Sequence, residues 1–104
     1  MERIETLLNF LKKDPADSFV QHALALEYIK QEDDEKALTL FEDILTRDPA
    51  YTGSYYHLAK LLERKGDIPA ALQWYEKGME MTKVSGDRKA YNELLSGYEE
   101  ISGD

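Results

Sequence analysis

Two histidines, His22 and His57, are the side chains of this chain best suited to proton transfer or metal binding near neutral pH. Neither has a second histidine four residues away, the spacing at which a helix presents two metal ligands on one face. A joint metal or acid–base site is one hypothesis for the pair, and exposed positions on two helices are the simpler interpretation. The chain has no cysteine, which excludes thiolate catalysis, cysteine metal sites and disulfide bonds.

Carboxylates and serines do not indicate an active site either. The chain has 21 acidic residues against 13 Lys and Arg, a formal net charge of −8, and the acids mostly alternate with lysines as solvated charge, as in Glu76 and Lys77. No serine has the surroundings of a nucleophile elbow, since Gly53 and Ser54 open a helix. The sequence therefore predicts no enzyme, no catalytic residue, no metal and no cofactor. The negative charge also argues against nucleic acid as a partner.

The elements that position any functional residue recur along the chain at a fixed interval. Pro15 and Pro49 lie 34 residues apart, and so do Ala25 and Ala59. A period of about 34 residues is typical of a solenoid built from helix-turn-helix units. Apolar residues recur at three- and four-residue intervals within each segment, which predicts six amphipathic helices and no strand.

The repeated residues resemble the tetratricopeptide repeat, whose pattern is W-x2-L-G-x2-Y, then A-x3-F, then P. The likeness is carried by Leu24, Ala25, Tyr28, Ala37, Phe41 and Pro49 in one unit and by Tyr55, Leu58, Ala59, Ala71 and Tyr75 in the next. The chain departs from the pattern at Gln21, Leu62 and Lys83, where an aromatic residue, a tyrosine and a proline are expected. The resemblance implies an all-α fold, a right-handed helix-turn-helix superhelix of about six antiparallel helices.

The predicted domain organisation follows the repeat. We expect a single domain over residues 1–104, which begins with an N-terminal half-repeat helix at 2–15. Full repeats follow at 18–51 and 52–85, and a capping helix at 87–102 ends the stack.

Short polar segments mark the helix boundaries. Asp33 and Asp67 can accept hydrogen bonds from the free amides of the helices that follow them. Gly66 suits the left-handed conformation that ends a helix. The repeated alanines allow antiparallel helices to approach closely, while Phe41 fills the adjacent gap in the core.

The resemblance also implies a function, because the first helix of each unit in this family lines a concave groove that holds a peptide. The predicted peptide-binding residues are Phe19, His22, Leu26, Lys30, Tyr56, Lys60, Arg64, Lys89 and Asn92. This surface has four basic residues, three lysines and one arginine, and two acidic ones, Glu63 and Glu99. Its net charge is therefore +2, whereas the formal net charge of the chain is −8. We therefore expect a protein partner that presents an acidic peptide or a C-terminal carboxylate.

An alternative interpretation is structural. The apolar members of this set would then pack against neighbouring helices, and the basic members would form modest surface pairs with Glu63 and its neighbours. Some chaperone-binding relatives hold two carboxylates with lysines, an arginine and asparagines on these inner helices. Here His22 and Leu26 stand where Lys and Asn would be expected, and His57 stands where the next Asn would be.

Self-association is the second functional hypothesis. Ile4, Leu8 and Leu11 of the N-terminal helix would leave an apolar strip that a second copy of the chain covers, making a structural scaffold with a homodimer interface. A third hypothesis, an enzyme that uses His22 and His57, lacks a candidate substrate.

The location of the protein is predicted from two further features. The segment Glu2–Glu5 carries acids where a signal peptide has a basic start and an apolar run. No stretch approaches the ~18 apolar residues of a membrane span, so we expect a cytoplasmic protein that does not enter a membrane.

Overall fold

The computed structural model describes residues 2–103, and over these residues the fold is all-α, as predicted. Residues 2–103 contain no strand, and their six helices are α1 Glu2–Lys13, α2 Ser18–Lys30, α3 Asp34–Arg47, α4 Gly53–Lys65, α5 Ile68–Ser85 and α6 Arg88–Ser102. In this part of the chain no helix combines the length and the apolar character needed to cross a membrane.

The helices form two compact units, Met1–Asp48 and Pro49–Asp104. In the first unit α2 packs against both α1 and α3. In the second unit α5 packs against both α4 and α6, and α4 also contacts α6. Both units contain completely buried apolar residues.

Aspartate side chains begin four of the helices. Asp17, Asp33, Asp67 and Asp87 each accept, through Oδ1, a hydrogen bond from the backbone N–H three residues later, at 3.1–3.3 Å. Each carboxylate satisfies an amide that has no partner inside its helix and lies at the positive end of the helix dipole. The caps predicted at Asp33 and Asp67 are confirmed.

Small and large apolar residues are buried where α2 packs against α3 and α1. Ala25 of α2 and Ala37 of α3 are completely buried, and so is Phe41 of α3. From α1, Ile4 and Leu7 form an apolar cluster with residues of α2. Close approach of α2 and α3 at the two alanines stays a prediction.

Glycines allow an equally close approach in the second unit. A Cβ atom on Gly78 would lie 2.7 Å from the Cβ of Tyr55, and one on Gly97 would lie 2.6 Å from the Cε1 of Tyr75. Both tyrosine side chains are completely buried, and the Tyr55 hydroxyl donates a hydrogen bond to the Pro49 carbonyl at 2.6 Å. The two rings thus occupy the space that a side chain at either glycine would need.

Gln21 stands where the repeat pattern has an aromatic residue, and its buried side chain belongs to a network of polar contacts. Its Oε1 accepts a hydrogen bond from the Arg47 Nη2 at 2.5 Å, and the same nitrogen donates to the Ser18 Oγ at 3.1 Å. The Ser18 hydroxyl donates in turn to the Asp48 Oδ2 at 3.3 Å. The start of α2 is therefore joined to the end of α3 by polar contacts, which satisfy the buried amide oxygen.

Lys83 also departs from the pattern, and its effect is on helix length. A proline at this position favours the end of a helix, because it disfavours the helical conformation of the residue before it. With lysine there, α5 continues to Ser85 and ends at Gly86, whose φ of 78° is left-handed.

Two equivalent turns differ in backbone strain. Gly66, with φ of 90°, ends α4 as predicted, whereas Glu32, 34 residues earlier in the chain, has φ of 60°. A side chain in the left-handed conformation crowds the following carbonyl and costs roughly 1–2 kcal/mol. The first turn therefore carries strain that the second avoids.

We predict that Phe41→Ala lowers the free energy of unfolding by about 3–5 kcal/mol, because it leaves a cavity in the first core. The control is Phe19→Ala, which removes a ring that is 71% exposed and should change stability by less than about 0.5 kcal/mol. Urea titration followed by circular dichroism measures both values. A loss below about 1 kcal/mol for Phe41→Ala would contradict the assigned core.

We predict that Glu32→Gly raises the free energy of unfolding by about 0.5–1 kcal/mol. Relief of the left-handed strain exceeds the added entropy of glycine in the unfolded chain. Glu32→Ala keeps a Cβ and should bring no comparable gain, while Gly66→Ala should destabilise the second turn. Thermal denaturation of the three variants tests this order, and equal stability of the Gly and Ala variants at position 32 would disprove it.

Candidate functional site

Four of the nine predicted binding residues line one groove on the first unit. The groove has a volume of about 430 Å³ and is lined by Arg3 of α1 and by Phe19, His22, Ala23, Leu26, Glu27 and Lys30 of α2. We call it the α1–α2 groove. The α2 residues recur at three- and four-residue intervals, so they lie on one face of the helix.

The apolar part of the α1–α2 groove is open to solvent. The Phe19 side chain is 71% exposed, and Ala23 and Leu26 are half-buried beside it. The exposed ring gives the groove an apolar surface that is open to solvent. Because Phe19 is so exposed, it contributes little to the core.

A three-residue ion cluster forms the charged part of the same groove. The Oε2 atom of Glu27 lies 3.1 Å from the Arg3 Nε and 3.2 Å from the Lys30 Nζ. The two basic side chains are 65% and 70% exposed, whereas the Glu27 side chain is 14% exposed. The hydrogen bond from Lys30, helped by the Arg3 guanidinium, lowers the pKa of the Glu27 carboxyl. The cluster therefore has a net charge of +1 at neutral pH.

His22 connects the groove to the core. Its imidazole stands edge-on to the Phe41 ring, with ring centroids 5.4 Å apart, and the residue is half-buried. His22 is therefore not the exposed residue that the simpler sequence interpretation expected, because one side of its ring packs on the aromatic core.

On the second unit, the structure brings together the predicted residues Tyr56 and Lys60. The Lys60 Nζ lies 5.5 Å from the centre of the Tyr56 ring, 3.5 Å from the Glu63 Oε2 and 3.6 Å from the Glu100 Oε2. Burial disfavours the charged lysine, but the neighbouring carboxylates outweigh it and raise the pKa of Lys60. Lys60 thus forms the pair with Glu63 that the structural interpretation of the sequence described, and Glu100 adds a second acidic partner.

Glu63 also receives a hydrogen bond from the hydroxyl of the buried Tyr75. Burial, with a further contribution from this carboxylate, raises the pKa of Tyr75 far above its usual value. Tyr75 therefore stays protonated and acts as a fixed donor, which positions Glu63 beside Lys60.

The other predicted residues of the second unit lie on α4 and α6. Arg64 lies exposed near the end of α4, and Lys89 and Asn92 lie exposed on α6. The family resemblance assigns them to one binding surface with Tyr56 and Lys60, and this assignment stays a prediction.

His57 is half-buried in the second unit, which is also contrary to an exposed position. Burial lowers the pKa of its imidazole, and the negative charge of Glu93 acts in the opposite direction. Among residues 2–103 no group of three or more His, Cys, Asp or Glu side chains could hold a metal ion.

The apolar strip predicted on the N-terminal helix is largely absent. Ile4 is buried, and Leu11 packs against the core of its own unit, because α1 turns this side toward α2. Leu8 and Phe10 remain open to solvent, at 40% and 55% exposure. The predicted strip is therefore wrong at Ile4, while Leu11 is partly buried and Leu8 is exposed.

Consecutive helices that pack on their neighbours in the chain, four of them capped by aspartate, are typical of a helical-repeat protein. The family model of the tetratricopeptide repeat matches residues 20–51 and 52–84. The chain belongs to the tetratricopeptide repeat family, as the sequence resemblance indicated.

Known proteins agree with this assignment. A TPR repeat-containing protein of Pseudomonas aeruginosa is 28% identical over 91 residues, which cover 88% of this chain and 87% of that protein. The crystal structure of a tetratricopeptide repeat domain protein from Salinibacter ruber is similar with a TM-score of 0.81 and 38% identity, over 84% of this chain and 97% of that one.

A type III secretion translocator chaperone, SycD of Yersinia enterocolitica, has the same fold. Its TM-score is 0.87 at 16% identity, over 95% of this chain and 69% of that chain. At this level of identity the likeness concerns the fold alone.

We predict that acid destabilises the wild-type protein more than a His57→Gln variant between about pH 7.5 and about pH 5.5. The folded state holds His57 neutral, while the unfolded chain takes up a proton near the ordinary imidazole pKa of 6.5. Stability is therefore lost as the pH falls below that value toward the lowered pKa of the folded state. Urea titrations across this range test the difference, and parallel pH profiles for the two proteins would contradict it.

Proposed function

We propose that the protein is a non-enzymatic interaction module that binds a peptide segment of a partner protein in the α1–α2 groove. The observation that carries the proposal is the exposed Phe19 ring, which lies in one groove with three other residues predicted to bind peptide. The fold supports it, since stacked helical repeats present extended surfaces to their partners.

The charges of the groove favour an acidic peptide or a C-terminal carboxylate. Arg3 and Lys30 extend into solvent and outnumber Glu27, in a chain whose formal net charge is −8. A guanidinium has five N–H donors and an ammonium three, so both cations have donors beyond the bond to Glu27. A carboxylate of the partner would accept from these donors, while an apolar side chain covers Phe19 and Leu26.

The second unit supplies the rest of the proposed binding set, Tyr56, Lys60, Arg64, Lys89 and Asn92. Tyr56 offers an aromatic surface, and Arg64 and Lys89 offer exposed cations. Lys60 is a weaker candidate for binding an acidic group, because Glu63 and Glu100 already lie within 3.6 Å of its ammonium. As a small adaptor of this kind, the protein would act in the cytoplasm.

Homodimer formation is less well supported than peptide binding. It depended on the apolar strip of Ile4, Leu8 and Leu11, in which Ile4 is buried, Leu11 is partly buried and Leu8 is exposed. The α1–α2 groove has both an exposed ring and a defined charge pattern, so it carries the proposed function.

We predict that Phe19→Ala and Lys30→Glu each weaken binding of an acidic peptide at least tenfold. Loss of a ring at the centre of an interface or reversal of a contacting charge typically costs about 1.4 kcal/mol or more. Peptides are first selected on an array in which each acidic nonapeptide has a counterpart with Asn and Gln in place of Asp and Glu. Affinities of the selected peptides are then measured by fluorescence anisotropy.

Two matched substitutions outside the groove serve as controls. Val84→Ala removes an apolar side chain that is 81% exposed on the second unit, and Lys77→Glu reverses an exposed charge on α5. Both should bind as the wild type does. Peptides whose affinity is unchanged by Phe19→Ala and Lys30→Glu would show that the α1–α2 groove is not the binding site.

A further inference from the structure

Glu27 occupies a special place in the α1–α2 groove because two cations converge on one of its oxygens. Arg3, from α1, and Lys30, one turn further along α2, both reach the Oε2 atom, at 3.1 Å and 3.2 Å. This is the arrangement in which two basic groups would hold the carboxylate of a bound peptide. The protein thus supplies from its own chain the group that the proposed ligand would supply.

The solvent-exposed fractions of the three side chains show which of them a ligand would contact first. Glu27 is 14% exposed and lies beneath the cations, which are 65% and 70% exposed. An approaching carboxylate therefore contacts Arg3 and Lys30 from the solvent side, while Glu27 remains behind them. The two carboxylates then share the same two cations and repel each other across a short distance.

The ion cluster of Arg3, Glu27 and Lys30 contributes little to the stability of the fold. Exposed ion pairs stabilise a protein little, because water screens the charges and the long side chains lose freedom when they pair. Glu27 is ionised at neutral pH, since its hydrogen bond from Lys30 and the neighbouring Arg3 favour the charged form. Its main effect on an acidic ligand is therefore electrostatic repulsion.

We infer that Glu27 is the residue that sets the specificity of the α1–α2 groove: it acts as an internal competitor that limits the affinity of Arg3 and Lys30 for ligand carboxylates. This inference rests on the proposed function. A ligand that offers only a carboxylate therefore binds weakly. Tight binding also needs an apolar side chain of the ligand on Phe19 and Leu26. A groove of this kind rejects peptides that are acidic but lack the apolar residue.

The test compares Glu27→Gln with the wild type, using two fluorescein-labelled peptides that differ only by Asp against Asn beside a leucine. A unit charge about 5 Å away in water changes an affinity about fourfold. We expect Glu27→Gln to strengthen binding of the Asp peptide by about this factor at low salt and to leave the Asn peptide unchanged. The preference for Asp over Asn should therefore rise about fourfold.

Glu42→Gln is the matched control, since it removes the same charge from an exposed position on α3 of the same unit, outside the groove. It should leave the preference for Asp unchanged, which separates a local effect from a change in net charge. Lys30→Gln should lower the preference, and this second variant tests the same cluster from the opposite direction. Thermal denaturation checks that each variant is folded.

The outcomes distinguish this inference from the proposed function. Peptide binding that is insensitive to Phe19→Ala would overturn both. Binding that depends on Phe19, with a preference for Asp that Glu27→Gln leaves unchanged or lowers, would overturn only the role of Glu27 as a competitor. A preference that rises equally in Glu27→Gln and Glu42→Gln would also overturn it, because net charge would then explain the effect.

Discussion

Close contact between helices is the constraint on which the rest of this structure depends. In the first unit α2 packs against α3, and Ala25, Ala37 and Phe41 of these helices are completely buried. The second unit reaches the same result with Gly78 and Gly97, whose missing side chains make room for tyrosine rings. Because these contacts bury the apolar side of each helix, the opposite side is available to present groups such as Phe19 and Lys30 to solvent.

Much of the fold could be predicted because its determinants are local in the sequence. The apolar intervals indicate helices, Asp33 and Asp67 mark where two of them begin, and the 34-residue period relates one unit to the next. The family resemblance supplied four residues that line the α1–α2 groove and share one face of α2, namely Phe19, His22, Leu26 and Lys30. Ala23 and Glu27 lie on that face as well. The three- and four-residue spacing along α2 would therefore have added them to the predicted set.

What escaped prediction depends on contacts between distant parts of the chain. Arg3 reaches the groove from α1, and Glu100 reaches Lys60 from α6, so no periodicity within one helix reveals either partner. The N-terminal helix illustrates the same difficulty, because its sequence shows an apolar side without showing what covers it. Packing against α2 covers Ile4 and Leu11, and it thereby removes most of the surface expected for a second copy of the chain.

The buried amide of Gln21 has a consequence for how α2 is oriented. An aromatic ring at this position would be held by packing contacts. Such contacts have little directionality, so they permit small rotations of the helix about its own axis. A hydrogen bond is directional and weakens steeply with misalignment, so the contacts of Gln21 and Ser18 with Arg47 resist such a rotation. The rotation of α2 about its own axis, and with it the direction in which its groove-lining side points, is thus restrained by hydrogen bonds.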